Sequence, residues 1–209
     1  MEKKSGIHLI SKSVGPWPMN TYLISCSIKN DSIIVDPGSE PDVIMDMARN
    51  TTVKGIFITH GHVDHIGALE EIKCVTNAPV YIHPIDANLF NIPYDHSLSN
   101  VDMISLGFQV LEVIHTPGHT PGMMSLKLDN NRVIVGDTIF VGGPGRTNSP
   151  AEFQITMKTM REVVFAWQDK TIFYPGHGQP GTIGDERRSY EKFIKDGWSP
   201  QLCGDVTWE

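Results

Sequence analysis

HGHVDH, residues 60–65, places His60, His62, Asp64 and His65 within six consecutive positions. Imidazole nitrogens and carboxylate oxygens suit zinc, iron or manganese, and a catalytic site built from them keeps a position open for water. His60 and His62 stand two apart in an extended stretch, so both side chains project to one side. Asp64 and His65 are adjacent, on a turn leading into a helix, and face a second point close by. A pair of ions needs more donors than these four.

The rest of the chain supplies them. QVLEVIHTPG runs into His119, RVIVGD ends on Asp137, and TIFYPG runs into His177. Strand ends on one rim of a sheet bring distant sequence together, and the loops there carry chemistry. Counting donors gives His60, His62 and His119 for one ion and Asp64, His65 and His177 for another. Asp137, with two oxygens, is placed to bridge them. A lone histidine at a strand end is more often a hydrogen-bonded core or surface residue, and HxH alone is weak. The full HGHVDH string, followed in order by PGHT, GDT and PGHG, is a strong signal.

These loops need strands to hold them. Short β-branched and aromatic runs bounded by Gly, Pro, Asn or Asp predict strands at 21–25, 32–36, 55–59, 79–83, 109–115, 123–128, 132–137 and 171–176. DNNR, 129–132, reads as a hairpin turn. Ser149-Pro150-Ala151-Glu152 reads as a helix start, with a Ser cap, Pro at the first position and Glu placed for a capping box. Phe153, Met157, Met160, Val164 and Trp167 then follow helical steps and predict one core-facing stripe. Further helices are expected at 41–49, 66–76 and 183–196. In the last, Tyr190, Phe193 and Ile194 should face inward while Arg187, Arg188, Glu191 and Lys195 face solvent. Helices interrupt the strands in small groups, which favours two stacked sheets with helices outside over a doubly wound sheet.

Bulk properties narrow the partners. The 209 residues suit one domain, 1–209, and 40% hydrophobic with 20% charged residues is ordinary for a globular protein with a core. The net charge of -7 disfavours nucleic acid and anionic membrane as partners. No apolar run approaches the roughly 18–20 residues of a membrane span. The start, MEKKSGIHLISKS, lacks the apolar stretch of a signal peptide. Cys26, Cys74 and Cys203 form no pair pattern and suggest a reducing, cytoplasmic setting.

The set THGHVDHIGA, TPGHTPG, GDTIF and YPGHG, with NTYLI and IIVDPG before it, resembles the metallo-β-lactamase fold, and most closely its small glyoxalase II-like hydrolases. The resemblance spans nearly the whole chain. It implies an α+β fold, a four-layer αβ/βα sandwich of two mixed β-sheets packed face to face, with the metals at one edge. It implies the same two ligand sets as the donor count, with Asp137 bridging.

The expected chemistry is hydrolysis of a small-molecule thioester or ester by a hydroxide bridging two divalent ions, most simply zinc, with iron or manganese as substitutes. Asp64 is expected to orient that nucleophile as well as ligate, and Asp137 to act with it. Arg146, in VGGPGRTNSP, is a candidate clamp for a substrate carboxylate, with a structural salt bridge as the equal alternative. Members of that group often carry an acid where this chain has Asn148, which would leave Arg146 without that charge partner. Full-length glyoxalase II enzymes also carry a C-terminal helical region that helps bind glutathione, whereas here one helix and the tail DGWSPQLCGDVTWE follow PGHG. A lactonase remains open, as does a persulfide dioxygenase holding one iron on His60, His119 and Asp137. His115 and His83 are expected to serve packing or hydrogen bonding, and His8 and His96 to lie on the surface. Thr59 and Thr120 are expected to hold ligand loops through their hydroxyls.

Overall fold

The computed structural model describes residues 6–128 and 131–208. The first sheet is laid down nearly in chain order: β1 (Ile7–Val14), β2 (Met19–Cys26), β3 (Asp31–Val35), β4 (Thr52–Phe57), β5 (Val80–Ile82) and β6 (His96–Ser97). β1 to β3 pair antiparallel, and β3 to β6 pair parallel. Each parallel step needs a crossover. α1 (Pro41–Ala48) precedes β4, α2 (Val63–Ile66) and α3 (Leu69–Thr76) precede β5, and α4 (Pro84–Leu89) precedes β6.

The second half contains β7 (Met103–Leu106), β8 (Gln109–His115), β9 (Met124–Lys127), β10 (Arg132–Gly136), the small ribbon β11 (Ile139–Phe140) and β12 (Gly143–Pro144), α5 (Pro150–Glu162), β13 (Ile172–Pro175), β14 (Gly181–Thr182) and α6 (Ile183–Asp196). Its main sheet runs β14-β13-β10-β9-β8-β7 and is also mixed, since only β10 and β13 pair parallel.

Strand period sorts the apolar residues into three layers. Tyr22, Ile24, Ile33, Val35 and Phe57 meet Leu111, Val113, Leu126 and Ile134 between the sheets. Their neighbours Leu23, Ile34, Ile56 and Ile58 point the other way, onto Ile44 of α1 and Leu69 and Ile72 of α3. On the far side, Val133, Val135 and Phe173 pack under Phe153, Met157 and Met160 of α5, Tyr190 of α6 and Trp208. The result is helices, sheet, sheet, helices, the expected αβ/βα sandwich. Strands with both faces buried read as continuous apolar runs, which is why IIV and VIV stand out in the sequence.

Several local expectations shift. β1 lies in the stretch noted only for lacking a signal, because Lys12 and its polar neighbours face solvent on an edge strand. The short β6, β7, β11, β12 and β14 and helix α4 were not anticipated. The helix expected over 66–76 is two pieces, with Gly67 and Ala68 between them. α5 starts as expected, with Ser149 Oγ accepting from Glu152 N at 3.2 Å, but the Glu152 carboxylate caps Asn148 N, one residue earlier than a capping box would. The core stripe is confirmed through Val164, yet α5 ends at Glu162 and Val164 belongs to a 3-10 turn. Adjacent Val163 and Val164, stiff at χ1, are poor helix continuers. In α6, Tyr190 is buried but Ile194 is 41% exposed. Arg187 is only partly solvated, because its guanidinium donates to the Phe165 and Trp167 carbonyls and to Asp169. The DNNR turn lies partly outside the described residues. No helix among the described residues is long and apolar enough to cross a membrane, and all three cysteines are free.

Candidate metal centre

The strand ends converge as their spacing demands. β4 leads into Thr59 to His62, β8 into the loop holding His119, β10 into Asp137, and β13 into His177, all along one edge between the sheets. His62 caps α2 with extended backbone, so the next turn of chain brings Asp64 and His65 beside it.

Two clusters result. His60 Nε2 and His119 Nε2 lie 3.0 and 2.9 Å from His62 Nδ1. In the other, His177 Nε2 lies 3.1 Å and His65 Nε2 3.8 Å from Asp64 Oδ2. Asp137 stands between them. Its Oδ1 is 3.4 Å from His65 Nε2, and its Oδ2 is 3.6 Å from His119 Nε2 and 3.7 Å from His177 Nε2. His65 Nε2 and Asp137 Oδ1 are buried, and neither has a hydrogen-bond partner. Leaving such atoms unpaired is costly, and a cation between them removes that cost.

The outward nitrogens fix which face carries the lone pair. His119 Nδ1 donates to the Arg146 carbonyl at 2.8 Å, and His177 Nδ1 to that of Pro18 at 3.3 Å. His65 Nδ1 donates to Asp36 Oδ2 at 2.9 Å. His60 Nδ1 donates to the Thr59 hydroxyl at 3.0 Å, which itself donates to Asp36 Oδ2 at 2.7 Å. All four imidazoles therefore aim Nε2 inward, the nitrogen whose lone pair is free to ligate in the neutral ring. His62 instead presents Nδ1, its ring resting edge-on against Phe90.

Burial holds His60 well below the ordinary histidine range, and burial with the nearby His119 also lowers His62. Both favour the neutral, ligating form. For His65, burial is outweighed by the Asp137 and Asp36 carboxylates, which push it up to about 10. The His177 hydrogen bond brings Asp64 down to about 2, and the same bond raises His177. Asp137 is lowered because His65 and its other imidazole neighbours outweigh its burial.

Two buried aspartates that the sequence reading passed over hold this arrangement. Asp36 accepts from Thr59 N at 2.7 Å, from the Thr59 hydroxyl and from His65. Asp86, at the start of α4, accepts from Gly61 N at 3.1 Å, the Thr120 hydroxyl at 2.7 Å and Gly122 N at 2.7 Å. Thr59 and Thr120 thus tie down the loops carrying His60 and His119 through their hydroxyls, as expected, and these acids are what they hold onto. Asp36 lay in the quoted IIVDPG, and its positive φ of 50 marks a special role. Asp86 in HPIDAN carried no such signal. Gly176, in PGHG, must lack a side chain, since a methyl there would collide with Asp137 Oδ1 and the His65 ring.

Beside the clusters opens a cleft of about 650 Å³, bordered by Phe140, Val141, Arg146, Asn148 and tail residues Asp205 to Thr207. Arg146 reaches it, but not as an unpaired clamp. Its Nη1 lies 2.8 Å from Asp205 Oδ2, so the charge partner comes from the tail and not from position 148. His115 donates to the Pro121 carbonyl and stacks on His83, which caps α4. His8 and His96 are exposed.

Residues 14–177 match the model of the metallo-beta-lactamase superfamily. A probable metallo-hydrolase, YqgX, of Bacillus subtilis is 34% identical over 187 residues, covering 79% of this chain and 87% of that protein. Hydroxyacylglutathione hydrolase GloC of Haemophilus influenzae is 28% identical over 198 residues, covering 82% and 93%. Among solved structures, TTHA1623 in a di-iron-bound form superposes with a TM-score of 0.69 at 27% identity, covering 86% of this chain and 97% of that one.

Proposed function

Because this chain belongs to the metallo-beta-lactamase superfamily, whose members bind divalent metals and are usually hydrolytic, we propose that it is a two-metal hydrolase of small-molecule thioesters or esters, glyoxalase II-like in its chemistry. The observation that carries the reading is the position of Asp137, whose two oxygens face histidines of both clusters at 3.4 to 3.7 Å. The relatives named metallo-hydrolase and hydroxyacylglutathione hydrolase support the reaction class, and the di-iron form of TTHA1623 supports a pair of ions. His60, His62 and His119 would hold one ion and Asp64, His65 and His177 the other, with Asp137 shared. Zinc, iron and manganese all suit this donor set. Ions held there supply Lewis acidity toward an acyl oxygen and acidify water.

The chain's own residues do the rest. Asp64 stays ionised at working pH, held by His177, and its carboxylate lines the cleft, where it would orient an attacking water. The outward hydrogen bonds of His60, His65, His119 and His177 prevent ring rotation, so the ligand cage is preorganised. A thiolate leaving group needs no strong general acid, which suits a cleft whose only lysine or arginine, among the described lining residues, is tied to Asp205. Substrates enter from the open cleft as small molecules; nucleic acid does not fit the net charge of -7.

The test is metal stoichiometry of the purified protein beside a thioester and lactone panel and an oxygen electrode. Two divalent ions per chain, with thioester turnover and no oxygen uptake, are expected. Asp137→Ala should abolish turnover while the circular dichroism stays native. One iron per chain with oxygen uptake on a persulfide would overturn the reading in favour of the dioxygenase.

A further inference from the structure

The tail is built as a strap across the cleft. Gly204 and Thr147 exchange backbone hydrogen bonds at 2.8 and 3.2 Å, which ties the strap to the loop carrying Arg146. Four residues on, Trp208 is 2% exposed, packed against Phe165, Tyr190 and Phe193, and its backbone N–H donates to the Gly142 carbonyl at 2.8 Å. The backbone between these anchors is held at both ends, and Asp205, Val206 and Thr207 line the cleft. Asp205 therefore arrives at a fixed place, with its carboxylate on the Arg146 guanidinium.

Arg146 is the single arginine or lysine among the described residues lining the cleft. It is the one fixed cation there that could draw in a substrate carboxylate, apart from the ions. Both partners of the pair are more than half exposed, at 61% and 75%. Such a pair adds little to stability, so an anchoring role does not explain it. Its effect falls on what enters the cleft. A carboxylate on the substrate must compete with Asp205 for the guanidinium and also approach the Asp205 charge.

Resting on the thioesterase reading and sharpening it, we propose that Asp205 is a positioning residue that sets charge selectivity: by occupying Arg146 it biases the site toward thioesters whose thiol half lacks a free carboxylate. In that reading the acyl carbonyl would face the ions, which leaves the thiol half to meet the strap. Removing the charge of Asp205 should release Arg146 for bidentate capture of a carboxylate and remove a like charge from the mouth.

The experiment uses the metal-loaded full chain and one acyl group carried on two thiols, N-acetylcysteamine, which is neutral, and 3-mercaptopropionate, which bears one carboxylate. Asp205→Asn should raise kcat/KM for the mercaptopropionate thioester about threefold to tenfold, the scale of one exposed ion pair plus one removed repulsion. The gain should lie in KM, fade at high salt, and leave the neutral thioester within about twofold of wild type. Asp205→Glu should keep the wild-type ratio, and in an Arg146→Ala background Asp205→Asn should give no gain. An unmoved ratio in Asp205→Asn, or the same gain without Arg146, overturns the proposal. If wild type turns over neither thioester, the thioesterase reading is what fails. Selectivity is then read from calorimetric binding of the two free thiols to the loaded protein, where the same dependence on Asp205 and Arg146 is expected and its absence overturns the proposal.

Discussion

Replacing Asp36 by Asn keeps size and shape and changes only what its second oxygen can do. In the native site Oδ1 accepts from Thr59 N, while Oδ2 accepts from the Thr59 hydroxyl and from His65 Nδ1. An amide has one acceptor and one donor end, so either orientation sets a donor against a donor. The Thr59 backbone N–H cannot reverse its role, whereas a hydroxyl can turn and an imidazole can change tautomer. The oxygen should therefore stay on Thr59 N, and the amide NH2 should face His65 Nδ1. His65 must then carry its proton on Nε2, the atom aimed at Asp137 and the second cluster. A hydrogen bond to a charged group contributes about 1.5–3 kcal/mol, which corresponds to roughly 10–100-fold in affinity, the usual scale for losing a partner behind a metal ligand. The loss should fall on the second ion, because His60 feels Asp36 only through Thr59. The assay is a titration of metal-stripped protein with zinc against a chromophoric chelator, resolving two equivalents. Asp86→Asn is the mirror control, since Asp86 holds Gly61 and the Thr120–Gly122 turn and should weaken the first ion instead. Equal loss of both equivalents in Asp36→Asn, or no loss at all, would refute the tautomer argument.

Two further outcomes follow from burial and charge. In the metal-stripped protein His65, held up to about 10 by Asp137 and Asp36 against its burial, sits above its unfolded value of about 6.5. Its stabilising contribution is complete below that unfolded value and is lost as pH rises toward 10, so stripped protein should melt several degrees lower at about pH 9.5 than at pH 7, and stripped His65→Gln should keep only the smaller part of that fall that the raised His177 contributes. His60 and His62, which are lowered, act only below about pH 6.5 and do not mask it. Phe153→Ala removes a ring with no solvent exposure beneath α5 and should cost about 3–5 kcal/mol, or roughly 10 °C in Tm, by thermal melting. Turnover by the remaining folded fraction should stay near wild type, because Phe153 does not line the cleft.

The legibility of this chain follows a physical division. The side chains brought together at the cluster were readable because a group able to hold a metal needs particular donor types at particular strand ends, and few other arrangements use them. The sandwich was readable because IIV, GIFI and VIV alternate between two buried faces, which only stacked and covered sheets provide. Short edge strands such as β6 and β14 make two pairs each and leave no periodicity to detect. The helix expected to reach Trp167 failed for another reason: the apolar spacing persisted after the backbone had left the α conformation.

The supporting residues escaped because their roles lie wholly in tertiary contacts. Asp86 is indistinguishable in sequence from a helix-start acid, and its stabilising effect on α4 hides its bonds to Gly61 and Gly122. Arg146 was readable as a cation near the site, but its partner lies 59 residues away, and no local pattern links them. Donor chemistry is thus encoded by residue type, whereas its orientation and selectivity are encoded by pairs. That difference is why Asp36, Asp86 and Asp205 are where substitution is most informative: removing a ligand tests only that a cage exists, while changing one of these acids tests how the cage chooses its proton, its ion and its substrate.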